Sequence, residues 1–176
     1  MNGGSALESE PRGWYAVYTR GRHEKKAAET LSRKAIPVFL PLVKKKSRWK
    51  DRWKIVDAPL FTSYLFVNAP PDPGSQLAVL KTPGVVRIVG IHGVPSPVPD
   101  EQIDSLRVIV ESGEPVLILR SIPPGARVVV RQGPFEGVIG KVVRLSERKA
   151  RLVVSIELLN RSVAVELDED WLERVN

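Results

Sequence analysis

The chain has 176 residues, of which 43% are hydrophobic, with no cysteine, two histidines and a formal net charge of +7. This length suits one ordinary domain or two small ones, while the lack of thiols and the scarcity of histidines argue against disulfides, a metal site or any metal cofactor. No apolar run reaches the roughly 18 residues of a membrane span, and residues 1–13 lack a secretory signal, so we expect a cytoplasmic protein.

The first part of the chain predicts a sheet with a helix against it. Residues 1–13 are small, polar and acidic without periodicity, and we expect them to form a disordered tail. Residues 14–18 are aromatic and β-branched, which predicts a strand, and residues 22–35 have the apolar spacing of a helix. Residues 36–42 contain two prolines and predict an edge or irregular strand, whereas residues 61–67 predict a core strand.

A second helical region completes this first unit. A short helix is predicted at residues 75–81 and a strand at residues 85–89. A longer helix is predicted to begin at Pro99 and Asp100, with the Asp100 carboxylate accepting free amide hydrogens, and to stop at Gly113. The alternating order predicts an α+β domain at residues 14–112, an antiparallel sheet flanked by helices.

The remaining residues predict a different kind of unit. Residues 113–123 contain glycine and prolines around an apolar patch at residues 116–119, and we interpret them as a linker. Residues 124–176 then predict only short strands, which indicates a small all-β barrel. The four clearest strands are residues 127–131, 140–145, 151–158 and 162–167.

The two predicted units also differ in their net charge. Residues 14–112 carry 16 basic against 9 acidic side chains, whereas residues 124–176 carry 9 against 8. Two units with different partners are therefore expected. Residues 44–54 alone combine seven basic side chains with Trp49 and Trp53. Such alternation suits nucleic acid, because rings stack on bases and cations meet phosphates, but it is also compatible with an exposed hairpin whose tryptophans pack across strands.

Two motifs give the chain a family resemblance. Residues 133–142 read Gly-Pro-Phe-Glu-Gly-Val-Ile-Gly-Lys-Val, which matches the KOW motif at the first hairpin of the β unit. Trp14-Tyr15, residues 59–67 and residues 82–86 have the order and spacing of the NusG N-terminal domain. Over residues 14–175 the chain resembles the NusG family of transcription elongation and antitermination factors. Residues 18–22 and 59–67 look most like its specialised paralogs, RfaH and the capsule-operon antiterminators, although Thr62 stands where the family has proline.

The resemblance implies a NusG-like N-terminal domain followed by an SH3-like KOW barrel, in a protein that acts as a monomer and not as an enzyme. It further implies that the first domain docks on the clamp of the RNA polymerase largest subunit and suppresses pausing or termination. Singly, Phe66 and Leu106 are at least as compatible with a core position. The implied polymerase-binding residues are Phe61, Tyr64, Phe66, Val85, Ile103 and Leu106.

Nucleic-acid contacts are implied at two basic regions. The first matches the surface with which RfaH-like paralogs touch the non-template DNA strand, although a solvated helix face has the same pattern. The second is the basic segment at residues 44–54. The candidate residues are Arg20, Arg22, His23, Lys26 and Thr82 in the first region and Lys44, Lys45, Lys46 and Arg48 in the second.

The KOW unit is expected to recruit a second partner, either a small-subunit ribosomal protein or Rho. A ribosome-associated or RNA-binding KOW protein without polymerase binding is the alternative function. The acidic run at residues 168–170 has no paired histidine or metal ligand, which argues against an enzyme. The implied partner-binding residues are Phe135, Val138, Leu158, Leu159 and Arg161.

Overall fold

The first domain is built on a five-stranded antiparallel sheet in the computed structural model, which describes residues 11–121, 123–144 and 148–175. In this sheet β2, β5, β1 and β6 are neighbours in that order, and β9 also pairs with β1. Two further hairpins, β3–β4 and β7–β8, form separate sheets. The elements are β1 (Gly13–Thr19), α1 (Glu24–Arg33), β2 (Val38–Phe39), β3 (Leu42–Trp49), β4 (Arg52–Pro59), β5 (Tyr64–Ala69), α2 (Pro73–Leu80), β6 (Val85–Ile88), β7 (Gly90–Ile91), β8 (Val94–Pro95), β9 (Pro97–Val98) and α3 (Asp100–Ser112).

Helices cover both faces of this central sheet because its strands alternate between two apolar sets. On one face Val17 and Leu65 pack against Leu31 of α1 and Val79 of α2. On the other face the aromatic and small side chains of β1, β2 and β5 pack against α3. The main sheet is therefore enclosed, whereas the β3–β4 hairpin extends beyond it.

The helix ends match the sequence prediction only in part. Gly113 adopts a left-handed φ of 70° and ends α3, as predicted. The prediction that Asp100 accepts amide hydrogens at the start of this helix is wrong, because Pro99 holds the capping position and no side chain bonds there. Asp100 lies inside the first turn, where a carboxylate still favours the positive end of the helix. The cap that the sequence analysis missed is Asp72, whose carboxylate accepts the Ser75 amide at 2.9 Å.

The second domain is a six-stranded antiparallel sheet in the order β10-β14-β13-β12-β11-β15. Its first strand lies inside the segment expected to be a linker. This strand has only three residues, too few to show a periodic pattern in the sequence. It pairs antiparallel with β14, with Leu117 opposite Ala164 and Leu119 opposite Ser162. The strands are β10 (Leu117–Leu119), β11 (Ala126–Val130), β12 (Ile139–Arg144), β13 (Lys149–Ile156), β14 (Arg161–Asp168) and β15 (Leu172–Arg174).

An α+β domain followed by a small all-β domain confirms the predicted fold class. Of the expected tail, residues 1–10 lie outside the described residues, and Gly13 already belongs to β1. The exact limits of tail, linker and domains stay a prediction. Within residues 11–121, 123–144 and 148–175, no helix has the length and apolar character needed to cross a membrane.

Two glycines of the KOW motif offer a matched test of the hairpin after β11. Gly133 and Gly137 have φ values of 80° and 85°, where an L side chain costs about 1–2 kcal/mol. A Cβ at Gly133 would also lie 2.5 Å from the Trp171 ring, whereas one at Gly137 would meet nothing within 4 Å. Gly133→Ala should therefore lower the free energy of unfolding, measured in urea, by more than Gly137→Ala does. Equal decreases for the two variants would contradict the close packing of Trp171.

Candidate functional site

A row of aromatic rings lies on the α3 face of the central sheet. Phe39 contacts Trp14 edge-on at 6.4 Å and Phe66 in a stacked arrangement at 6.1 Å between ring centroids. Tyr18 and Tyr64 are cross-strand partners whose rings lie 5.4 Å apart. Trp14, Tyr18, Phe39 and Tyr64 are only half-buried. This row, hereafter the aromatic face, therefore keeps part of its ring surface accessible.

The predicted polymerase-binding residues do not all belong to that accessible part. Phe61 is 2% exposed, and Phe66, Ile103 and Leu106 are fully buried, so these four are core residues. The reason is that α3 lies over the aromatic face and fills it with its own apolar side chains. Tyr64 alone of the predicted set remains half-accessible on this face.

Val85 lies on the opposite side of the sheet. It packs beside Tyr15, Val17 and Leu65, in the cluster that α1 and α2 cover. A register shift between Tyr18 and Thr19 pairs Val85 with Thr19. Because a shift of one residue moves a side chain to the other face, the prediction that grouped Val85 with the aromatic residues is wrong in its placement.

The second domain docks directly on α3. The Ser105 hydroxyl accepts a hydrogen bond from the Ile139 amide at 3.1 Å and donates one to the Ile139 carbonyl at 3.3 Å. Beside it, Arg127 and Glu101 form a salt bridge of 2.5 Å. Buried residues of the two domains form one continuous hydrophobic cluster. α3 is therefore enclosed between the aromatic face and the second sheet.

Sequence reasoning missed this interface. Ser105 is 3% exposed, although a serine in an amphipathic helix is normally turned to water. The interface could have been predicted from the position of Ser105 among Ile103, Leu106 and Ile109, which are all buried. A polar residue at an apolar helix position needs a partner, and the backbone of Ile139 supplies it.

The predicted partner-binding residues of the KOW domain are mostly buried as well. Phe135, Val138 and Leu159 are exposed by 2%, 1% and 7% and belong to the shared cluster, while Leu158 is half-buried against it. Arg161 is half-buried and donates to the carbonyl oxygens of Leu159 and Asn160. In this arrangement none of the three buried side chains can contact a partner.

The basic residues around the start of α1, hereafter the basic turn, lie on the protein surface. Arg20, Arg22, His23 and Lys26 are all exposed. The Arg20 amide donates to the Gly84 carbonyl at 2.8 Å, and a Cβ at Gly84 would come within 2.8 Å of the His23 Cβ. This close approach holds the turn against the loop before β6, so the four side chains occupy one fixed surface.

Thr82 does not join this surface. It is 2% exposed, and its hydroxyl donates to the Ala78 carbonyl at 3.2 Å and accepts a hydrogen bond from the Lys34 ammonium at 3.0 Å. Its side chain therefore closes the end of α2 against α1. The prediction of Thr82 as a nucleic-acid contact is contradicted by this burial.

The β3–β4 hairpin, hereafter the basic ribbon, is exposed along most of its length. Lys45, Lys46 and Arg48 are exposed, but the Lys44 ammonium contacts an Asp57 carboxylate oxygen at 2.7 Å. This hydrogen bond from Lys44 lowers the pKa of Asp57. Lys44 is thus partly neutralised, and Lys45, Lys46 and Arg48 are the better anion ligands.

The two tryptophans of the basic ribbon do not pack on each other. Trp49 pairs with Arg52 and Trp53 pairs with Arg48, so the rings point to opposite faces of the ribbon. Their exposures are 59% and 67%. The alternative of a cross-strand tryptophan pair is therefore wrong, and both rings are open to solvent.

Comparison with known proteins gives two family matches. A model described as "Transcription termination factor nusG" matches residues 12–107, more than half of the 176 residues, and a model of the KOW motif matches residues 124–155. The Transcription termination/antitermination protein NusG of Borreliella burgdorferi is 22% identical, over 93% of this chain and 99% of the relative. That of Halalkalibacterium halodurans is 25% identical over 93% and 99%.

The fold also has a solved counterpart. A structure described as "Domain interaction in Thermotoga maritima NusG" covers 94% of this chain and 98% of its own, with 20% identity and a TM-score of 0.57. At this identity the likeness concerns the fold alone. It agrees with the two-domain architecture found here.

Proposed function

Because this chain belongs to the NusG family of transcription termination and antitermination factors, we propose that it binds the clamp of the RNA polymerase largest subunit through its first domain. There it would hold the elongating state and suppress pausing or termination. The relatives are named as transcription factors, which confirms the expected class of protein as opposed to an enzyme. With this role the chain would work beside the polymerase, in the cytoplasm.

The resemblance to the specialised paralogs stays a prediction. The Borreliella and Halalkalibacterium relatives carry the name of the general factor, at 22% and 25% identity. Both subgroups imply the same docking surface, so the proposal does not depend on this choice.

The observation that carries the proposal is the half-accessible aromatic face. Rigid rings bury large area at low entropy cost, and such clusters are enriched at the centre of interfaces. Tyr18 and Tyr64 lie side by side at its open end, and the Arg87 guanidinium lies 5.5 Å from the Tyr18 ring. A helical partner with acidic side chains would complete this surface.

The docked second domain adds a condition to this function. Ser105 and Glu101 of α3 are engaged by Ile139 and Arg127, while Val138 is buried next to this contact. We therefore infer that α3 and the buried KOW residues become available together, when the domains separate. In the separated state the KOW domain would recruit a small-subunit ribosomal protein or Rho.

The direct test uses the tagged full-length chain and purified core RNA polymerase. The proposal expects a stoichiometric complex in size-exclusion chromatography, and an excess of the isolated clamp coiled coil should compete it away. A complex that the coiled coil does not displace would contradict the proposed docking site.

The basic turn should contribute a salt-dependent contact to non-template DNA. Arg20→Gln combined with Lys26→Gln removes two exposed cations without touching the buried Glu24 carboxylate, which accepts the Ser63 amide at 2.8 Å. The slope of log affinity against log salt for an elongation complex should become shallower by about 0.7 for each phosphate that the variant no longer neutralises. Lys149→Gln combined with Arg151→Gln, which removes two cations from the second domain, is the charge-matched control. An unchanged slope would remove the turn from the nucleic-acid surface.

The alternative, an RNA-binding KOW protein, is less well supported. At least four basic residues of the second domain or its interface already face carboxylates: Arg127, Arg131, Lys149 and Arg151. The Arg131–Glu173 hydrogen bond lowers the pKa of Glu173, so this carboxylate stays charged. With 9 basic and 8 acidic residues, residues 124–176 offer little net charge to neutralise phosphates.

A further inference from the structure

The basic ribbon concentrates the charge of the chain in a small protruding element. Its residues, Leu42–Pro59, number 18 of 176 and carry seven basic and two acidic side chains, which is +5 of the formal net charge of +7. Within the described residues β3 and β4 pair only with each other. Eight paired residues per strand span about 26 Å. The base of the ribbon, Ser47 and Val56 are half-buried, whereas the other residues of its outer part are exposed, so the outer part presents two faces to solvent.

Each face of the ribbon carries one tryptophan and several basic side chains. Cross-strand partners share a face, and successive residues alternate between faces. One face carries Trp53 opposite Arg48, with Lys46 and Ile55 as the next pair. The other face carries Trp49 opposite Arg52, followed by the pair of Ser47 and Lys54 and then by Lys45 opposite Val56. Each face therefore has one open indole ring with cations around it.

This arrangement fits nucleic acid better than a membrane surface. A ribbon lying on a bilayer needs one apolar face and one charged face, whereas here cations accompany the ring on both. The Lys54 ammonium lies 4.9 Å from the Trp49 ring centroid, which places charge beside the ring. Indole stacking on a base with a cation on the adjacent phosphate is the usual mode of single-strand binding.

We propose that the ribbon separates the two strands of a nucleic-acid fork, with one unpaired strand on the Trp49 face and the other on the Trp53 face. The inference rests on the proposed nucleic-acid role of Lys45, Lys46 and Arg48, but it does not require polymerase binding. A single strand occupies one face at a time. A closed duplex presents no free base to either ring, so the affinity order is open fork, single strand, blunt duplex.

The test measures fluorescence anisotropy of three labelled DNA probes with the full-length chain: a fork with two unpaired arms, one arm alone and a blunt duplex. Trp49→Ala and Trp53→Ala each remove the indole ring from one face of the ribbon. Fork affinity should fall roughly tenfold in either variant, the effect of removing one base stack. Affinity for the single arm should fall only about twofold, because one of two equivalent faces remains. The double variant should bind the fork no better than the duplex.

Three controls make the result decisive. Ile91→Ala removes an apolar side chain of similar exposure, 58%, outside the ribbon and should change nothing. Trp49→Phe and Trp53→Phe keep an aromatic plane and should retain most of the fork affinity. Circular dichroism should show the same folded content for every variant.

Several outcomes would overturn the proposal. They are equal affinity for fork and single arm in the wild type, equal decreases on both probes in each single variant, and tighter binding to phosphatidylglycerol vesicles than to the fork. Polymerase binding is measured separately with the same variants. If the fork preference holds while polymerase binding fails, only the docking function is refuted, and the reverse result refutes only the fork.

Discussion

Replacing Ser105 with alanine is expected to raise the apparent affinity for RNA polymerase by about tenfold. The substitution leaves the amide and carbonyl of Ile139, in a partly buried contact between the domains, without the hydroxyl that bonds both of them. An unsatisfied buried backbone group costs about 1–3 kcal/mol, and this cost falls only on the docked arrangement. The fraction of open molecules therefore rises, and apparent affinity follows that fraction.

The measurement is binding of fluorescently labelled chain to core polymerase, together with energy transfer between dyes on the two domains. Ser112→Ala is the matched control, because its hydroxyl donates to the Ile109 carbonyl within the same helix, accepts the Glu114 amide, and bonds no described residue of the second domain. Lower energy transfer with unchanged polymerase affinity would show that the docked domain does not obstruct the clamp site.

Replacing Tyr64 with alanine should weaken polymerase binding by about thirtyfold, the effect of removing an interface hot spot. Tyr64 is half-buried beside Tyr18 and packs against the hydrophobic cluster from outside, so removing its ring should cost less stability than removing a fully buried ring. Phe61→Ala is a poor test of the same surface. Phe61 is 2% exposed, and deleting a buried phenylalanine ring costs about 3–5 kcal/mol, a large share of the stability of a small domain.

The Tyr64 variant is best measured in the Ser105→Ala background, where domain docking limits access less. Tyr64→Phe should retain binding, and Ile91→Ala should behave as the parent. A Tyr64→Ala protein that unfolds at the parental urea concentration and still binds polymerase fully would remove the aromatic face from the proposed function.

The apolar periodicity of the sequence predicts most of the longer helices and strands, but not the shortest strands or the way the elements pack together. Repeats of apolar residues predict α1, α3 and four of the six strands of the second domain, β11 to β14, and Gly113 marks the end of α3 through its left-handed backbone. These signals are local. The three-residue strand β10 carries no detectable period, so its residues resemble a linker in the sequence.

The candidate site could not be predicted in full because it depends on contacts between residues far apart in the sequence. Val85 changes face because of a register shift in the pairing of β1 with β6, which no single strand encodes. Thr82 is buried by Lys34, 48 residues away. The domain interface depends on Ser105 meeting Ile139, 34 residues away. Exposure of the basic turn and the basic ribbon, by contrast, could be predicted because dense charge is rarely buried.

The basic ribbon also keeps the proposed nucleic-acid contacts apart from the residues that stabilise the fold. Val43, near its base, packs against the shared hydrophobic cluster, but the outer residues from Lys44 to Asp57 belong to neither core. Changes at the tip therefore leave the free energy of unfolding nearly unchanged. Substitutions can therefore accumulate in this hairpin without loss of the fold, so relatives with the same two domains can differ in the ligand proposed to bind here while their scaffolds stay alike.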